Sequence, residues 1–126
     1  IMSLKGFEDI TSDVSEDEIA ISKWVADCLL KRPAGKKNAA TGKKICSAVL
    51  KELGVKLTDI RMRKIIQYIR AYNLVPRLCS TQTGYFIAGN DQEWENWKIS
   101  MRQRIRQQQY TLACTEYFGD GNNEKL

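Results

Sequence analysis

The segment Thr41–Ala88, TGKKICSAVLKELGVKLTDIRMRKIIQYIRAYNLVPRLCSTQTGYFIA, constrains the fold more than any other part of the chain. Two helical patterns stand head to tail across the short connection Gly54–Thr58, and a short hairpin pattern follows. Thr41 is placed to cap the first helix, whose expected inner face carries Ile45, Val49, Leu50 and Leu53. Gly54 supplies the left-handed residue that ends a helix at little cost. Val55 and Leu57 then plug the turn into the core, and Thr58 caps a second helix predicted to run to about Tyr72.

On a wheel of 3.6 residues per turn, this second helix divides cleanly. Met62, Ile65, Ile66 and Ile69 form an apolar stripe, which predicts the buried side. The opposite face collects Ile60, Lys64, Gln67 and Ala71, with Arg61, Arg63 and Tyr68 on its shoulders. Four cations, Arg61, Arg63, Lys64 and Arg70, occur here against one acid, Asp59, which lies in the first turn. A helix that only needed solubility would mix signs on its outer face.

The flanking segments look like support. Ser15-Glu16-Asp17-Glu18 is a capping box, with Ser15 as N-cap and Glu18 reaching back. The helix it starts carries Ile21, Trp24, Val25, Cys28 and Leu29 on one face and stops at Arg32-Pro33, because proline lacks the donor a helix needs. Downstream, Leu74–Leu78 reads as an edge strand interrupted by Pro76, Ser80–Gly84 as a turn, and Tyr85–Ala88 as the return strand. The turn is polar and uncharged. Asn90 or Asp91 caps a last helix predicted to reach about Tyr117, with Trp94, Trp97, Met101, Ile105, Gln108 and Leu112 in one narrow stripe. At ~1.5 Å per residue such a stripe outruns a domain of this size. Its outer part, within Trp97–Leu112, is therefore expected either to meet a second copy or another protein or to fold over the body.

Charge is distributed unevenly along the 126 residues. Residues 31–77 hold thirteen Lys or Arg against Glu52 and Asp59, a balance of +11, whereas residues 1–30 balance at −5. A basic middle beside an acidic flank is the electrostatic footprint of a protein that meets a polyanion. No apolar run approaches the roughly 18–20 residues of a membrane span, and no signal-peptide pattern opens the chain. Ile stands ahead of Met2, and residues 1–14 lack sustained periodicity, so they are expected to form an arm outside the fold. The four cysteines, Cys28, Cys46, Cys79 and Cys114, are too widely spaced for a zinc site, and the chain has no histidine. They are expected to be thiols in a reducing cytoplasm.

Catalysis finds little support. Without histidine there is no Ser–His or Cys–His pair and no imidazole general base. Gly35 and Gly42 lack phosphate-loop spacing. Neither a cofactor nor a metal site is expected. Phosphate and base contact, by contrast, suit the residue types present: lysine and arginine neutralise phosphates, Arg or Lys reads guanine, and Gln reads adenine. Ile60 could meet a thymine methyl, and Thr58 at a helix N-terminus could hold a phosphate.

The phrases GKKNAATGKKI, LTDIRMRKIIQYIR and PRLCSTQTGYFIA together resemble a winged-helix family common in phages and prophages. LCSTQTGYFIA is the most specific of the three, and the likeness covers roughly residues 34–110. The resemblance implies DNA binding in regulation or in replication initiation, within a bacterial or phage-infected cytoplasm. The expected fold is mainly α: a winged helix-turn-helix with a short β-hairpin wing and an extra long C-terminal helix. Its expected parts are an arm over 1–14, a winged-helix domain over 15–89, the last helix over 90–118 and a flexible tail over 119–126. The expected DNA-contacting residues are Lys43, Lys44, Thr58, Ile60, Arg61, Arg63, Lys64, Gln67, Tyr68 and Arg77. Residues 58–72 would lie in the major groove, with Lys43, Lys44 and Arg77 on phosphates. A docking module for another protein, anchored by Ile60 and Tyr68, is the alternative.

Overall fold

Ser15 begins the first helix as its residue type demands. In the computed structural model, which describes residues 14–122, its hydroxyl oxygen accepts from the Glu18 backbone N–H at 3.2 Å, while Glu18 Oε1 accepts from the Ser15 N–H at 3.3 Å. The capping box thus starts α1 (Glu16–Leu30), with three acids in its first turn, where they complement the helix dipole. The arm expected over 1–14 lies outside the described residues except for Val14, and so do residues 123–126 of the tail.

Thr41 caps α2 (Gly42–Leu53), and Gly54, at φ +68°, ends it. Thr58 caps α3 (Asp59–Ala71), its hydroxyl accepting from the Arg61 N–H. At the far end of α3 the Leu74 N–H returns to the Ile69 carbonyl and the Asn73 N–H to that of Arg70. This is a Schellman stop with Asn73 in the left-handed position, at φ +51°. Ile21, Val25 and Leu29 of α1, Ile45 and Val49 of α2, and Met62, Ile65, Ile66 and Ile69 of α3 form the core with Leu57 and Val75. α1 lies chiefly against α3. The inner face expected for α2 was too wide: Leu50 and Leu53 are exposed. The body covers the Ile45–Val49 line with Cys46 beside it, and Leu50 sits about a third of a turn away from that line.

The hairpin comes later in the chain than its hydrophobicity suggests. Residues 74–77 form a turn, not a strand, although Val75 is buried within it. Pro76 offers no ladder donor, and Arg77 takes a left-handed φ of +50° that redirects the chain. Strand β1 (Leu78–Thr81) then pairs antiparallel with β2 (Gly84–Ile87), in the register Leu78 to Ile87 and Thr81 to Gly84. The tip shrinks to Gln82-Thr83, steadied by a 2.8 Å contact between the hydroxyls of Thr81 and Thr83. A third extended segment, not foreseen from the sequence, joins through Ala40, which exchanges backbone hydrogen bonds of 2.9 and 2.8 Å with Tyr85. Gly84 makes this approach possible: at φ +119°, a Cβ there would lie 2.4 Å from the Ala40 carbonyl oxygen. The order helix, short strand, helix, turn, helix, hairpin is that of a winged helix-turn-helix.

Asn90 caps the last helix, α4 (Asp91–Gly119), 29 residues and about 44 Å long at ~1.5 Å per residue. Its first three turns rest on the body. Glu93 accepts from the backbone N–H of Gly89 at 2.8 Å and of Lys36 at 3.3 Å. Trp94 and Trp97 stack at 5.5 Å, with the Arg77 guanidinium over the first ring and that of Arg70 over the second. From Arg102 onward every described residue of α4 is exposed. The helix projects away and does not fold back over the body.

Candidate nucleic-acid interface

The outward strip of α3 is built by subtraction. Its apolar stripe is consumed by the core, and one shoulder by α1, which leaves Ile60, Arg63 and Gln67 exposed with Lys64 half-exposed beside them. Ile60 stands out because 67% of its surface faces solvent in the first turn of the helix. No acid follows Asp59 anywhere in α3. Among the described residues, no hydrogen bond or ion pair engages the Arg63 guanidinium, so it can be offered to a ligand without cost to the fold. In the first turn of α2, Lys43 and Lys44 are exposed as expected. Thr58 is exposed too, although its hydroxyl oxygen already serves as the cap.

Three cations expected on the outer surface have other work. Arg61 turns towards α1, its Nε lying 3.7 Å from Glu18 Oε2. That is ion-pair range but too long for a hydrogen bond, and among the described residues Oε2 accepts none elsewhere although Glu18 is buried. The capping-box glutamate therefore also ties α1 to α3. Arg77 does not stand ready for a phosphate: its Nη1 lies 2.7 Å from Asp91 Oδ1 at the start of α4. That hydrogen bond, then the charge of Arg77, holds the Asp91 carboxyl below the usual aspartate range. Arg70, expected on the basic face, is a staple. It donates to the Leu78 carbonyl from Nε at 3.4 Å and Nη2 at 3.3 Å, and to Ser80 Oγ at 3.2 Å, under the Trp97 ring. Burial lowers its pKa from the ordinary arginine value. Arg32 similarly donates to the carbonyls of Asn38 and Ala39 and shapes the loop that leads to Ala40.

Tyr68 is the clearest correction. Expected on the outer shoulder, it is only 8% exposed, on the side of α3 that meets α1, with its ring 4.4 Å from that of Tyr72. Burial, then its neighbour Tyr72, raises its phenol above the usual tyrosine value. It cannot touch a ligand at the surface. Sequence reading also passed over Lys56, which is exposed in the turn between α2 and α3. The signal was available, since Val55 and Leu57 point inward on either side of it.

The cysteines are free thiols: Cys28 and Cys46 half-buried, Cys79 buried, Cys114 exposed. Burial pushes the Cys79 thiol up to about 11. Among the described residues, no group of three or more His, Cys, Asp or Glu comes together to hold a metal ion. No helix of the described residues is long and apolar enough to cross a membrane.

Comparison with family models, with curated proteins and with solved structures found no match to this chain. What the fold and the surface define is a class: a winged helix-turn-helix whose second helix of the pair presents a basic, acid-free strip.

Proposed function

We propose that this protein binds double-stranded DNA, with α3 entering the major groove, as a regulator or replication-initiation factor of phage or mobile-element type. One observation carries the reading: the exposed strip of α3 combines Ile60, Arg63, Lys64 and Gln67 and has no acid beyond the first turn. Arg and Lys to guanine, Gln to adenine and an aliphatic side chain to the thymine methyl are the contacts that B-DNA offers in that groove. Lys43, Lys44 and Lys56 surround the helix-turn-helix with further exposed charge for phosphates. The wing contributes shape, not charge, because its tip is Gln82-Thr83. The reading assigns no catalytic step. A second copy of the chain, met through the outer part of α4, is the protein partner it includes.

The test is duplex binding as salt rises between about 50 and 200 mM. Several phosphate contacts require affinity to fall by orders of magnitude over that range, and selection from a random duplex pool should return a shared motif. A flat salt response with no motif would refute the reading. It would favour protein docking instead, for which exposed Leu50, Leu53 and Ile60 around the same turn supply apolar surface.

A further inference from the structure

The apolar stripe of α4 does not end where the body does. Trp94, Trp97 and Met101 are partly buried, and the same line of the helix continues through Ile105, Gln108, Leu112 and Thr115 in open solvent. Ile105 is 47% exposed and Leu112 58%. Because Trp97 lies beneath Arg70 of its own body, the open part begins after Met101, not at Trp97 as the sequence suggested.

From this we infer that the outer half of α4 pairs with the outer half of α4 in a second copy, antiparallel, with Arg102 of each chain opposite Glu116 of the other. The inference rests on the second-copy reading and requires nothing of DNA binding. Sterics choose the direction. In a parallel pair the partner helix would run past residues 94–101 on the very face that the chain's own hairpin and Arg70 already occupy. Run antiparallel in that register, residues 102–116 of each copy overlap along about 22 Å at ~1.5 Å per residue, and the two bodies sit at opposite ends.

Charge makes the same choice. Around the helix, Lys98, Arg102, Glu116 and Asp120 fall on one flank of the stripe and Arg104 on the other. Antiparallel helices bring like flanks together, so the basic start of one outer half meets Glu116 and Asp120 at the end of its partner. Parallel helices would set the Arg102 flank against the Arg104 flank, cation on cation. Lys98 is paired with Glu95 of its own helix at 2.6 Å, but from Asn96 to Thr115 the helix holds Arg102, Arg104 and Arg106 and no acid, and the acidic far end of another copy can answer that charge. The overlap is short and Gln108 interrupts its apolar line. It therefore falls near the lower bound of roughly 1,000 Å² for a specific interface, and a dimer that dissociates in the micromolar range follows.

Sedimentation equilibrium of the full chain between about 1 and 200 µM should show a monomer–dimer equilibrium. Leu112→Asp should leave a monomer whose helical signal and melting match wild type. Arg102→Glu should raise the dissociation constant by about tenfold, since each dimer then holds two repulsive pairs. Adding Glu116→Arg to that variant should restore it. A monomer at the highest concentration would overturn the dimer altogether. A dimer whose affinity the second swap does not restore would overturn only the antiparallel pairing, because in a parallel pair these residues lie about 21 Å apart.

Discussion

Replacing Arg63 and Arg61 by alanine, one at a time, separates binding surface from scaffold on a single helix. Arg63 is exposed, and no hydrogen bond or ion pair of the described residues involves it. Alanine is at least as good a helix former, so Arg63→Ala should move stability by less than about 0.5 kcal/mol. If Arg63 reads a base edge, its loss costs about 1–3 kcal/mol of binding, or roughly 5- to 150-fold in affinity. Two positions back, Arg61→Ala takes away the one cation of the described residues that pairs with Glu18 Oε2, an atom that is buried and accepts no hydrogen bond among those residues. An unpaired buried carboxylate oxygen would cost several kcal/mol. Arg61 keeps 38% of its side chain exposed, however, and at 3.7 Å the pair is loose, so water screens it and about 1–2 kcal/mol is expected. Fluorescence anisotropy on a duplex selected by the wild type reads the first effect. Urea unfolding followed by tryptophan fluorescence reads the second. The expected pattern is opposite for the two variants: Arg63→Ala binds poorly and folds well, whereas Arg61→Ala loses stability and, where folded, keeps most of its affinity. Wild-type affinity in Arg63→Ala, together with weak binding by a fully stable Arg61→Ala, would refute the assignment and move the contact surface towards α1.

Other consequences follow from the same geometry. Lys43→Ala with Lys44→Ala should weaken binding to any duplex and flatten the slope of log affinity against log salt by about 2, if each lysine neutralises one phosphate. Gly84→Ala places a Cβ 2.4 Å from the Ala40 carbonyl oxygen and must break the bridge to Tyr85, at a cost of roughly 2–4 kcal/mol in urea unfolding. Unchanged stability would show that the Ala40–Tyr85 bridge adds nothing. The Cys79 thiol ionises at about 11 in the folded chain against 9.0 ordinarily. Its contribution is therefore complete below pH 9 and is lost as pH rises to about 11, by on the order of 2–3 kcal/mol. The difference between wild type and Cys79→Ala should shrink by that amount between these limits.

Most of the secondary structure was legible because its signals are local. Ser15, Thr41 and Thr58 each cap a helix three residues ahead, Gly54 ends one, and the spacing of Met62, Ile65, Ile66 and Ile69 names the buried line of α3. The centre of the candidate surface followed from the same spacing, since Ile60, Lys64 and Gln67 lie opposite that line, and Arg63 on one shoulder is exposed as expected. The other shoulder did not follow. A helical wheel gives the angle of Arg61 and Tyr68 about the axis but not what packs there: α1 brings Glu18 to Arg61, and Tyr68 on the same side is buried. Arg70 and Arg77 likewise read as surface charge until Trp97 and Asp91 come beside them.

The sequence by itself therefore determined the helices, their caps, the buried line of α3 and the acid-free strip, all of which depend on residues close to one another in the chain. Only the tertiary structure decided which cations remain available, where the hairpin begins, that Ala40 bridges to Tyr85 of the hairpin, and that α4 leaves the body after Met101. Each of those outcomes depends on elements distant in the chain, whose packing decides which surfaces are covered. Periodicity along one element carries no record of that.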